Sequence, residues 1–312
     1  MRGQVAQVVT LVGTVDGLWS LPEHTRRFPG ERIDAVVTGW VLSDGTRIRS
    51  GAGVVGLSVA EQINWLLPGR DELLFGTAEA GLYRLDLLTG RFARDAGFDR
   101  APGRDDWYTP WGGPPDVRSL DRGPDGTLYV NVHVGGIVRS TPADPTWRDT
   151  MDIDADVHQV KAHPTVPGLA FAATARGLAV TRDGAVTWEF HTKGLHGDYC
   201  RAVAISGERV LVSVATSYAG GRAAVYRADL GVSGFTRCSD GLPKWFSTNV
   251  NTGCLALVGD EAVIGDENGT VYRSADGGDT WAIEADDLPE ITCVAGDSKA
   301  PSPIAQEPLL PT

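Results

Sequence analysis

Three short segments set an acidic or aromatic residue two positions before a basic one: Asp116-Val-Arg118, Asp156-Val-His158 and Tyr199-Cys-Arg201. Each supplies groups that can move a proton or grip an anion. A histidine near neutral pH exchanges protons readily, and carboxylates beside it tune and orient it. His158 therefore pairs naturally with His133, in VNVHVGG, as acid and base or as metal ligands. Asp116 and Asp156 complete either arrangement. Arg118 and Arg201 offer permanently charged guanidinium forks suited to carboxylates, phosphates or polyhydroxyl ligands. Asn64, Tyr199, His196 and Asn251 belong to the same set of polar residues. The segment WYTPWGGPPD, within the long stretch 93–117, adds Trp107, Tyr108 and Trp111 on a loop stiffened by proline. Loops of this length usually have a task, and stiff aromatics beside polar groups suit a sugar ring or another flat ligand. The competing expectation is a solvated channel with arginine and aspartate paired across it and the loop packed over it as a plug.

These residues matter together only if something brings them to one place. They open apolar stretches, QINWLL, DVRSL, DVHQV, YCRAV, NTGCLAL and EITCV, whose third residues are Asn64, Arg118, His158, Arg201, Gly253 and Thr292. The stretches recur at intervals of roughly 40 to 50 residues, the repeat length of a four-stranded propeller blade. Six such stretches predict six blades around one axis, with one polar side chain per blade aimed at it. The N-terminal VVTLVGTVDGLWSL matches a second and third strand without a first. EITCV near the C-terminus is expected to supply it, tying both ends into one blade and removing free sheet edges. Residues 22–61, with IDAVVTGW and TRIRS, do not fit this register.

A turn motif repeats as well. Ser274-x-Asp276-x-Gly278-x-Thr280-Trp281 recurs as Thr181, Asp183, Thr187 and Trp188, with Ala185 at the glycine position. STPADPTW, Ser140 to Trp147, is a degraded copy with Pro142 at the aspartate position. Asp86 with Phe92 and Asp229 with Phe235 mark looser ones. The motif resembles the Asp-box of sialidases and of the wider BNR-repeat propellers. That resemblance, spanning residues 8 to 294, implies an all-β propeller with structural Asp-box turns on the face opposite the ligand face. It implies a sialidase-like, glycosyl hydrolase-like fold, not sialidase chemistry. Such enzymes use three arginines, a tyrosine paired with glutamate and an aspartate acid, and an Arg-Ile-Pro motif. Here Arg27-Phe28-Pro29 is the nearest match and no tyrosine–glutamate pair is assignable. The expected function is binding of a small polar or anionic, carbohydrate-type ligand at the mouth of the channel, as a hydrolase or lyase. A non-catalytic protein-binding propeller, similar to photosystem assembly factors, is the alternative, and a metal-dependent lactonase-like channel a third.

Composition sets the outer bounds. The 39 glycines, 18 prolines and 9 tryptophans among 312 residues suit short strands and tight turns. A net charge of −12 argues against nucleic acid or an anionic membrane as partner. The start of the sequence reads as a strand rather than a leader peptide, giving the expectation of a cytoplasmic protein. Cys200, Cys238, Cys254 and Cys293 lack zinc-type spacing, so neither metal nor cofactor is expected, and free buried thiols are. Residues 1–294 form the expected propeller and residues 295–312, with four prolines, an expected disordered tail.

Overall fold

The computed structural model describes residues 9–37, 39–50, 53–55 and 59–297. They form seven four-stranded antiparallel sheets, so the propeller has seven blades and not six. The blade absent from the sequence count lies within 22–61. It comprises Ile33–Val37, Trp40–Ser43, Arg47–Ser50 and Gly53–Val55, and becomes blade 2 in chain order. In blade 1 the inner strand is Ile291–Asp297, paired with Val9–Thr14, so chemically distant ends share one sheet. That strand runs to Asp297, past the boundary expected at 294; the rest of the expected tail lies outside the described residues. Blades 3 to 7 begin with Ile63–Pro68, Val117–Arg122, Val157–Ala162, Tyr199–Ser206 and Leu255–Val258.

Hydrophobic burial explains the ring. Strands such as Leu128–Val132, Ala170–Thr174 and Gly177–Thr181 are buried at every residue, because both faces of each sheet pack against a neighbouring blade. Each adjacent pair of blades shares one core cluster. Phe171, Val180, Val203 and Val212 lie between blades 5 and 6, for example, and Leu11, Leu18, Ile33 and Val41 between blades 1 and 2. Close packing also dictates Gly76, where a Cβ would come within 2.2 Å of Val117. The four cysteines are free and buried in these interfaces.

The turns between third and fourth strands are held by the repeated motif. Asp276 Oδ1 accepts from the amides of Asp279 and Thr280, Thr280 Oγ1 donates to Asp276 Oδ2 at 2.6 Å, and Ser274 Oγ accepts from Gly278 N. Asp183 repeats this with Val186 and Thr187. Ala185 there has a φ of 65°, the left-handed region in which Gly278 sits. In the degraded copy Pro142 does not stand in for the aspartate. Asp144, two residues later, accepts from Thr146 N and from the Arg148 guanidinium.

Candidate functional site at the channel mouth

The polar residues converge because of a shared backbone irregularity. In blades 2 to 6 and in blade 1 the inner strand carries a register shift one turn of the pleat from its start. The extra residues are Asp34, Asn64, Arg118, His158, Arg201 (with Ala202) and Thr292. A bulge frees one residue from the ladder and re-aims its side chain. In blade 7 the equivalent position is Gly253, and the neighbouring Thr252 supplies the side chain. Thr252 Oγ1 lies 2.9 Å from Arg201 O and 3.2 Å from His158 O. Sequence reading had five of these seven polar positions and missed Asp34 and Thr252. Asp34 lies in the uncounted blade, and Thr252 is offset by one from the glycine that holds the register.

At the mouth, where inner strands begin, the residues form one electrostatic unit. His158 is wholly buried, with Nδ1 donating to Cys200 O of the next blade at 2.6 Å. Its Nε2 lies 3.5 Å from Asp156 Oδ2, and His133 Nε2 lies 3.4 Å from Asp156 Oδ1. Burial by itself would raise the Asp156 pKa, but the two histidines outweigh it and hold the carboxyl far below the usual range. Burial lowers the His158 pKa, helped by Arg118 and Arg201 and opposed by Asp156. Asp156 itself occupies the left-handed region, φ 46° and ψ 73°, closing a one-turn 3₁₀ helix, Ile153–Ala155, just before the blade.

Arg118 is half-buried and makes no hydrogen bond and no ion pair within 4 Å among the described residues. Burial and then the field of Arg201 pull its pKa down to about 10, still protonated at neutral pH. Arg201 lies over Tyr199, 5.5 Å from the ring centroid, and its Nη2 reaches only the Tyr218 carbonyl, at 3.4 Å. Tyr199 packs on His158 with centroids 4.7 Å apart. Asn64 lies near Asp116, and burial raises the Asp116 pKa against the pull of His133 and Arg118. Trp111 lies 4.9 Å from the His133 ring and remains 72% exposed, on a turn closed by Thr109 Oγ1 and Gly113.

Several expected members are elsewhere. Trp107 is buried against Phe98, 5.7 Å between centroids, and anchors the loop instead of facing the mouth. Tyr108 is half-exposed beside it. His196 joins a separate group, 2.8 Å from the Tyr226 hydroxyl and 4.8 Å from Trp245. Asn251 donates to Glu267 on the rim of blade 7. Arg27, of the Arg-Phe-Pro segment, lies on the outermost strand of blade 1. His158 and His133, both at most 3% exposed, flank Asp156 and do not face solvent. The mouth thus sets the guanidiniums of Arg118 and Arg201 within each other's field, with aromatic side chains beside them. Among the described residues no group of three or more histidine, cysteine, aspartate or glutamate side chains is arranged to hold a metal ion, and no helix is long and apolar enough to cross a membrane.

No family model matches the chain, and no curated protein is similar to it. Solved structures are similar in fold. The computationally designed Ika8 protein has a TM-score of 0.60 at 14% identity, over 94% of this chain and 91% of its own. The GH74 enzyme of Niastella koreensis has a TM-score of 0.57 at 13% identity, over 89% of this chain but 47% of its own, so this chain spans about half that enzyme. The WD40 β-propeller domain of Doa1 has a TM-score of 0.57 at 16% identity, over 90% and 86%. At these identities the likeness is one of fold alone, and the fold to which this chain belongs is the β-propeller.

Proposed function

We propose that this propeller, of the Asp-box, sialidase-like kind, binds a small anionic ligand of carbohydrate size at the channel mouth. Arg118 and Arg201 grip the carboxylate, sulfate or phosphate, and Trp111 takes the apolar face of the ring. The observation that carries the reading is Arg118: a half-buried guanidinium beside a second guanidinium, without an ion-pair partner among the described residues. A desolvated cation left unpaired costs stability, and an anion arriving between the two relieves that cost. Asp156 acts on Arg118 through its field but makes no ion pair with it within 4 Å, and lies instead beside His133 and His158. In the hydrolase form of this reading, Asp116 is the acid, since burial raises its pKa whereas that of Asp156 is held down. The test is calorimetric titration of sulfate, glucuronate and N-acetylneuraminate into the protein and into Arg118→Met, at constant ionic strength. Binding of at least one anion that weakens tenfold or more in the variant supports the reading, and equal affinity in both removes it.

The second reading, a protein-binding face, draws on Trp111 and Tyr218, which are 72% and 76% exposed around the same mouth. It requires no small-anion affinity at all, so the same titration separates the two.

A further inference from the structure

A second volume lies deeper in the channel and opens on the opposite face. It measures about 340 Å³ and is lined by residues of all seven inner strands. Val36, Trp65, Leu255, Leu257 and Val294 supply an apolar part of its wall, beside polar groups that include Asp121, Gln159 and Lys161. Water occupies about 30 Å³ per molecule, so the space is large enough for a compact ligand in place of on the order of ten waters.

The charged groups at this wall are already paired. Asp34 accepts from Arg32, Lys161 lies 3.4 Å from Asp121, and Arg122 is held by Glu72. Gln159 is different. It is 2% exposed, and its Oε1 accepts from Val203 N of the next blade at 3.0 Å, which fixes the amide orientation. Its Nε2, with two N–H donors, has no partner among the described residues. With its oxygen committed to Val203, the amide presents its donors to the chamber, where an acceptor can meet them.

We propose that the lower channel is a separate binding site for a compact, neutral, largely apolar molecule carrying one hydrogen-bond acceptor, a carbonyl or hydroxyl, which Gln159 Nε2 engages. Net charge on the ligand is disfavoured because every charge in the lining has its counter-charge. An aromatic ring packs on Trp65 and the leucines. This site does not depend on the anion site at the mouth.

The probe is acetophenone, with benzoate as its charged counterpart, followed by saturation-transfer NMR and calorimetry. Two variants localise the binding. Gln159→Glu keeps an acceptor for Val203 N while removing the donors, and Ala295→Trp fills the open end of the chamber from a half-buried position. The expected results are millimolar or tighter binding of acetophenone, at least tenfold weaker binding of benzoate, a roughly tenfold loss in Gln159→Glu and complete loss in Ala295→Trp. Arg118→Met leaves it unchanged. The proposal is overturned if acetophenone does not bind the wild type, if benzoate binds equally well, or if Ala295→Trp binds undiminished. Should Gln159→Glu fail to fold, the Ala295→Trp and benzoate comparisons still decide.

Discussion

His158 Nδ1 lies 2.6 Å from the carbonyl oxygen of Cys200, one blade further round the ring. The bond fixes the tautomer and turns Nε2 toward Asp156, making this histidine a strut between blades as well as a member of the mouth.

A pH dependence follows. Burial lowers the folded-state pKa of His158 below its unfolded value near 6.5. Between those two values the unfolded chain binds more protons, so folding stability declines as pH falls through 6.5 and levels off below the folded pKa. Urea unfolding between pH 7.5 and 5 is expected to show this decline in the wild type and a flatter profile in His158→Gln. Parallel profiles would show that His158 is not the residue responsible.

Ala185 occupies a backbone conformation that the equivalent Gly278 adopts without strain. Ala185→Gly is therefore expected to stabilise the protein by about 1 kcal/mol, the reverse of the usual cost of glycine. Chemical denaturation reads this directly, and destabilisation would mean that the added chain freedom outweighs the relieved strain.

Asp276 holds its turn with two amides and a hydroxyl. Burial acts to raise its pKa, but these bonds prevail and bring it down to about 2, and Asp183 likewise sits at about 2 through Thr187. Depressed carboxylates contribute stability that is present above pH ~4 and lost as pH falls toward 2. Asp276→Ala is expected to cost about 1 kcal/mol at pH 7, as for loss of a helix cap, and progressively less as pH falls toward 2. A deficit that persists undiminished at low pH would assign it to packing instead.

Arg118→Met replaces an unpaired, half-buried cation by a side chain of similar length. Without added anion the variant is expected to be more stable than the wild type by about 1 kcal/mol, which corresponds to a melting temperature higher by about 2 °C. Melting curves in low-salt buffer check it. A less stable variant would mean that Arg118 is satisfied within the protein and has no need of a ligand.

Much of this was legible in the sequence because the bulge position is polar in most blades. Asn64, Arg118, His158 and Arg201 stand in register at strand starts, and a regular interval of polar residues among apolar ones is what an axis-facing position produces. Blade 2 escaped because its strands are short and its last hairpin, Arg47–Ser50 to Gly53–Val55, leaves no room for an Asp-box turn. Without that turn and with a compressed spacing, neither repeat signal registers. The fates of Trp107 and Trp111 also lay beyond the sequence. They share a loop, but Phe98 and Gly135 create a slot for the first and His133 a shelf for the second, and those residues come from separate parts of blades 3 and 4. Whether His158 met solvent or a carbonyl depended likewise on where Cys200 fell in the next blade.

The pairing of Arg118 with Arg201 around an anion is most directly tested by anomalous diffraction from a crystal soaked in selenate. The account predicts a selenium peak at the channel mouth within hydrogen-bond reach of both guanidiniums, absent from Arg118→Met crystals treated in the same way. A mouth without a peak in the wild type, or a peak that persists in the variant, would contradict it.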